Sequence, residues 1–189
     1  MSWHLVFGGI SLAIAVLGMC MQGLAAVGTL ANSWMMSMAG METTPPPDAL
    51  KYAGGAQAGV LLLLGGVLAA GSAMLLLRRP LGAKLVLVWA VSRLLMVVVG
   101  VVVAVALIKP QTEWAVVLSS EIRDHMRKQN VPEEKLPPLV DTEQAQRDAI
   151  RNLAIFSLAF AVWPFTMAIV LTRARVRADV ESWKSPSVP

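Results

Sequence analysis

Four stretches of this chain run for about twenty residues or more with almost no charged side chain, at about 5–30, 53–77, 85–108 and 150–172. That pattern leaves few folds open. A bilayer's hydrocarbon core is about 30 Å thick, and ~20 helical residues cross it. Lipid offers no hydrogen bonds, so a spanning backbone must satisfy its own amides, and a helix does so within one segment. Composition agrees: 56% of the residues are hydrophobic and 15% charged, against roughly 25% charged in soluble domains. We expect an all-α fold: a single membrane domain over residues 1–189 with four transmembrane helices. The lipid bilayer is its first partner.

The first stretch carries no charge and is bracketed by Trp3 and Trp34, which suits the preference of tryptophan for the membrane–water boundary. A signal peptide is the competing reading, with Ala25, Ala26 and Gly28 as a cleavage site. The opening Met-Ser-Trp-His lacks the usual Lys or Arg, and the apolar run exceeds a 7–15-residue core, so the span reading is preferred. The loop that follows is rich in methionine (Met35, Met36, Met38, Met41) and then in proline (Pro45–Pro47). Thioethers suit Cu(I), but no His or Cys accompanies them, and an interfacial loop is the simpler reading.

The second stretch is rich in Gly and Leu. Gly55 and Gly59 form a GxxxG, and Gly66 with Ala70 extends a face of small residues, the kind of face that lets helices approach closely in lipid. Spacing alone does not separate packing within the chain from pairing with another copy or another membrane protein. The turn Arg78-Arg79-Pro80-Leu81-Gly82-Ala83-Lys84 is short, so the second and third stretches are antiparallel neighbours.

Residues 109–149 form the one sizeable polar region. Trp114, Leu118, Ile122 and Met126 recur every four residues, predicting an amphipathic helix over about 111–129. We expect that helix to lie outside the membrane, between spans three and four, either continuing span three outward or resting on the membrane surface. Pro110 sits where a first helical turn tolerates proline. Pro132, Pro137 and Pro138 close the segment, and Asp141 with Gln144 signals the next helix start. Pro164 should kink the fourth span.

Charge sets orientation. Arg78, Arg79 and Lys84 stand without an acid, and the tail carries Arg173, Arg175, Arg177 and Lys184 against Asp179 and Glu181. Residues 109–148 lean acidic. Positive residues near spans stay in the cytoplasm, so both termini are expected there. The net charge of +4 is spread in this lopsided way, without the aromatic-interleaved basic stripe of a nucleic-acid binder.

Groups suited to catalysis are few. There are two histidines and one cysteine. Cys20 lies in a hydrophobic run and reads as an apolar filler. His125, with Glu121 four residues before it, could hold a metal or relay a proton, but one His and one carboxylate make an incomplete shell. Glu133-Glu134 reads as a solvated pair. We find no HExxH, GxSxG, P-loop or GxGxxG. No cofactor and no enzymatic activity is expected. Arg93 is the most informative single residue. It lies about eight residues inside the third stretch, where a charge costs roughly 3 kcal/mol, and no Asp or Glu occurs in any of the four stretches. Either it snorkels toward the headgroups beside Arg78, Arg79 and Lys84, the favoured reading, or it faces the bundle interior and contacts a lipid or small anion.

Two outlines do not fit. Tetraspanins share the short second loop but rely on paired cysteines in the large one. Small multidrug exporters carry a membrane-embedded glutamate, and this chain has none. Trp163-Pro164, Leu171-Thr172-Arg173, Val176-Arg177-Ala178-Asp179 and Trp183 together resemble the end of uncharacterised small four-helix bacterial inner-membrane proteins. That resemblance implies a bacterial inner-membrane location and no activity. The function expected is that of an accessory, scaffold or regulatory membrane protein working through contacts. The alternative is a transporter or channel component handling a lipid or an anionic small molecule.

Overall fold

A computed structural model describes residues 2–38 and 44–183, with backbone alone at 25–26, 28–33 and 35–37. Met41 and Lys184 lie outside the described residues. The described residues are helical, with no strand among them. The helices are α1 (Trp3–Met38), α2 (Asp48–Leu76), α3 (Pro80–Lys128), α4 (Thr142–Thr172) and α5 (Ala174–Ser182), with a single 3₁₀ turn at Glu133–Lys135. Four helices are long and apolar enough to cross a membrane: Trp3–Leu24 within α1, and α2, α3 and α4.

The third span and the amphipathic segment are one helix. α3 runs unbroken for 49 residues with Pro110 inside it, roughly 74 Å at about 1.5 Å per residue. Pro110 therefore starts no new helix. The Thr112 hydroxyl, buried two residues on, donates back to the carbonyls of Ile108 (3.0 Å) and Lys109 (2.9 Å), carrying hydrogen bonding past the missing N–H of proline. α3 ends at Asn130, where the backbone turns left-handed (φ 57°). The amides of Asn130 and Val131 close back on Arg127 and Met126, a Schellman stop. Asp141 caps α4 as its spacing predicts, its carboxylate accepting from the Glu143 amide at 3.1 Å. α5 was not expected. Arg173 is extended (ψ 136°) and breaks the chain from α4 before this short helix begins.

The chain divides into two compact units, and every long helix contributes to both. The first comprises residues 1–23, 57–100 and 157–189. Its core is Ala15, Leu68, Val86, Trp89, Ala90, Met167 and Leu171. Glycines bring α2 and α3 together. A Cβ on Gly82 would lie 2.5 Å from the Leu75 nitrogen and 2.8 Å from the Gly71 carbonyl. One on Gly71 would meet Leu85 and Val86 at 3.0 Å. Only the absence of side chains allows this approach. Outside the core, Leu63, Leu95, Val98, Val102, Leu158 and Phe165 stand exposed, an apolar exterior suited to lipid as solvent.

The second unit comprises residues 24–56 and 101–156 and is held by polar clips. Thr44 donates its amide (2.8 Å) and its hydroxyl to the Glu121 carboxylate, and its carbonyl accepts from Trp114 Nε1 at 3.0 Å. Trp114 and Glu121 are seven residues apart, two turns on one face of α3. Past the end of α3, Glu133 folds back between Arg123 and Arg127, each at 2.9 Å.

Candidate functional site

The first unit has a partly open cavity of about 280 Å³. α1 contributes Ile14, Gly18, Met19 and Gln22, α2 Leu61 and Gly65, α3 Trp89 and Arg93, and α4 Phe160 and Trp163. Among the described residues, apart from the indole N–H groups, Arg93 and Gln22 are the only polar side chains lining it, and no carboxylate does. The Arg93 guanidinium sits over the Phe160 ring, 5.5 Å from its centroid.

Arg93 thus lines this cavity, as the second of its two readings expects. It lies thirteen residues beyond the start of α3, roughly 20 Å along the axis. A cation–π contact with phenylalanine contributes on the order of 1 kcal/mol, and the ring offers no acceptor for the five N–H donors of a guanidinium. The cost of placing the charge there, roughly 3 kcal/mol, is thus only partly offset. Chemically, the cavity is an apolar sleeve with one cation in its wall.

The remaining predicted contacts lie elsewhere. Arg78, Arg79 and Lys84 are exposed. Arg78 is left-handed (φ 54°) and closes the C-terminus of α2, its amide bonding Leu75 and that of Arg79 bonding Met74. Its Nε donates to His4 Nε2 at 3.2 Å. Lys84 lies near Arg177 and Glu181 on the wall of a separate groove. Gly55, Gly59, Gly66 and Ala70 are exposed, and a Cβ on any of these three glycines would meet nothing within 4 Å. Among the described residues the glycines in close contact are instead Gly8, Gly65, Gly71 and Gly82.

His125 and Glu121 do not act together. Glu121 is taken by Thr44, and His125 Nε2 pairs with the Gln129 side chain at 2.9 Å. No cluster of three or more metal-ligating side chains occurs among the described residues. Outside the spans, the Glu133 carboxyl is held below its ordinary range, first by its hydrogen bond from Arg123 and then by that from Arg127.

Sequence reasoning missed His4, which is 95% removed from solvent at 5% exposure, and the aromatic group around it. Trp3 and Trp183 stack with centroids 5.8 Å apart, and His4 meets Trp183 edge-on at 5.6 Å. The two tryptophans are 180 residues apart in sequence, so no local spacing announces the pair.

No family model, curated protein or solved structure matches this chain. The fold and the cavity define its class: a helical protein with four helices able to cross a membrane.

Proposed function

We propose that this chain is a non-enzymatic multi-pass protein of a bacterial inner membrane that holds an amphipathic anion in its four-helix core, with Arg93 as the charge contact. One observation carries the reading: a guanidinium in the wall of an apolar cavity that no carboxylate lines among the described residues. An ionisable residue at that depth is expensive and is best explained by what it binds. A long-chain carboxylate matches the site, its head on Arg93 and its tail along the leucines of α2. The test is thermal unfolding of the full chain in mild detergent. Oleate should raise the midpoint of the wild type, oleyl alcohol should not, and Arg93→Leu should abolish the difference. Equal shifts from the acid and the alcohol would refute the reading.

In this proposal both termini and the turn at 78–84 are cytoplasmic, and the polar half of α3 with residues 129–141 lies on the opposite side. The basic bias of the turn and tail supports that orientation, as does the length of α3. Its 49 residues exceed what ~30 Å of hydrocarbon accommodates. In a Cys20→Ser background, a cysteine at Lys84 should resist an impermeant thiol reagent in intact cells, and one at Gln129 should label. Labelling at position 84 in sealed cells would overturn the topology.

A second reading, an accessory or scaffold subunit, is favoured by the stripe of Gly55, Gly59, Gly66 and Ala70. It is exposed, a Cβ on any of its three glycines would meet nothing within 4 Å, and it has the small residues that close helix approach requires. A membrane-protein partner that co-purifies in mild detergent with the wild type but not with Gly59→Leu would support it.

A further inference from the structure

We propose that the cleft lined by Trp3, His4, Arg78, Arg173, Arg175 and Trp183 binds the phosphate of an anionic phospholipid. The cleft is independent of Arg93. It encloses about 950 Å³ within the first unit, at the end of the bundle where α1 begins, α2 turns into α3, and α4 breaks into α5. Three guanidinium groups line it against one carboxylate, Asp179. That carboxylate is already engaged, its Oδ2 accepting from Trp3 Nε1 at 2.6 Å. The positive charge of the cleft is therefore in excess, and guanidinium forks match the geometry of phosphate oxygens.

Two features indicate a built site. Arg78 occupies a left-handed backbone position (φ 54°) where glycine is the ordinary choice, and its side chain is steered by the bond from Nε to the buried His4. An arginine kept where glycine suits the backbone better points to a use for its guanidinium. The break at Arg173 also turns the chain so that both Arg173 and Arg175 border the same cleft.

The surroundings select a lipid over a free phosphate. Phe7, Val170 and Val176 continue the cleft as apolar wall, and the Trp3–Trp183 stack belongs to the residue type that sits at headgroup level. Basic pockets between transmembrane helices take anionic headgroups for the same reason. A soluble phosphate would gain nothing from the apolar wall.

The experiment titrates the full chain in mild detergent with dioleoyl phosphatidylglycerol or dioleoyl phosphatidylcholine and reads bound lipid by native mass spectrometry. The wild type should prefer phosphatidylglycerol by roughly fivefold or more, the effect of about one basic residue near the surface. Arg78→Gly suits the left-handed position, so it should fold and lose roughly fivefold of that preference. The exposed pair Arg173→Gln/Arg175→Gln should lose more, and Arg79→Gln, outside the cleft, should lose none. If Arg78→Gly unfolds, the Arg173/Arg175 pair decides alone. The proposal is overturned if the cleft variants keep the wild-type preference, if Arg79→Gln loses as much as they do, or if equimolar inorganic phosphate displaces the lipid.

Discussion

The two units are built from the same four long helices and are held together by different forces. In the first, buried leucines, a tryptophan and a methionine interlock, and Gly71 and Gly82 bring α2 and α3 into backbone contact. In the second, Thr44 is clipped to Glu121 and Trp114, and Glu133 is gripped by two arginines. The Glu133 carboxylate is 63% exposed, and exposed ion pairs contribute little to stability. The comparison teaches where damage should be severe. Shape errors in the first unit leave backbones no room, whereas lost charges in the second are largely replaced by water.

The largest effect expected follows from this difference. Gly82→Val places branched carbons against the Leu75 nitrogen and the Gly71 carbonyl, neither of which can move as a side chain would. We expect destabilisation of roughly 3 kcal/mol or more, seen as a lower thermal midpoint in detergent. Gly59→Val, at an open position, should be near neutral. Equal losses at both positions would mean that glycine acts here through backbone freedom and not through contact.

Next is Arg93→Lys. Lysine keeps the charge and loses the planar fork. With the anion bound, the change should cost about 1–3 kcal/mol of ligand-dependent stability, the range for leaving a buried polar group unpaired. A silent Arg93→Lys would restore the snorkelling reading.

Smaller still is Glu121→Gln, which weakens the acceptor for the Thr44 amide and hydroxyl. Hydrogen exchange at Thr44 should accelerate while the α2–α3 contact around Gly71 stays protected. Spread of the effect to Gly71 would show that the clips stabilise more than their own unit.

The smallest effect is the response of the Glu133 clip to pH. A depressed folded-state value means that the contribution is present above the unfolded value, about 4.3, and fades as pH falls through the folded one. Amides of residues 131–136 should therefore lose protection only below about pH 4. Loss near neutrality would implicate another group.

The spans were legible in the sequence because a bilayer imposes length and apolarity together, and residues cannot meet that demand by accident over twenty positions. The α4 start was legible because Asp141 is a local signal. The continuity of α3 was one of two readings that the sequence left open. Pro110 carries the same sequence cue at a helix start as inside a helix, and the Thr112 hydroxyl that carries the helix past it is a three-dimensional fact. α5 was missed although Val176 and Val180, four apart, gave a faint signal amid the charges. The direction of Arg93 was illegible for a deeper reason. A soluble helix separates apolar from polar faces, but a valine-rich span in lipid is apolar all round, so no period marks the side that turns inward. The same uniformity hid which glycines pack: Gly55 and Gly59 have the spacing, while Gly71 and Gly82 have the neighbour.

The most direct test of the central claim is native mass spectrometry of the wild type, Arg93→Leu and Arg78→Gly, each released from mild detergent without added lipid. The account predicts a long-chain carboxylate retained by the wild type and by Arg78→Gly and absent from Arg93→Leu, whatever phospholipid the separate cleft holds, because the charge that holds the carboxylate in the core is gone. An Arg93→Leu protein that keeps the same bound mass, or a folded wild type that carries none while oleate fails to stabilise it, would contradict a ligand site at Arg93.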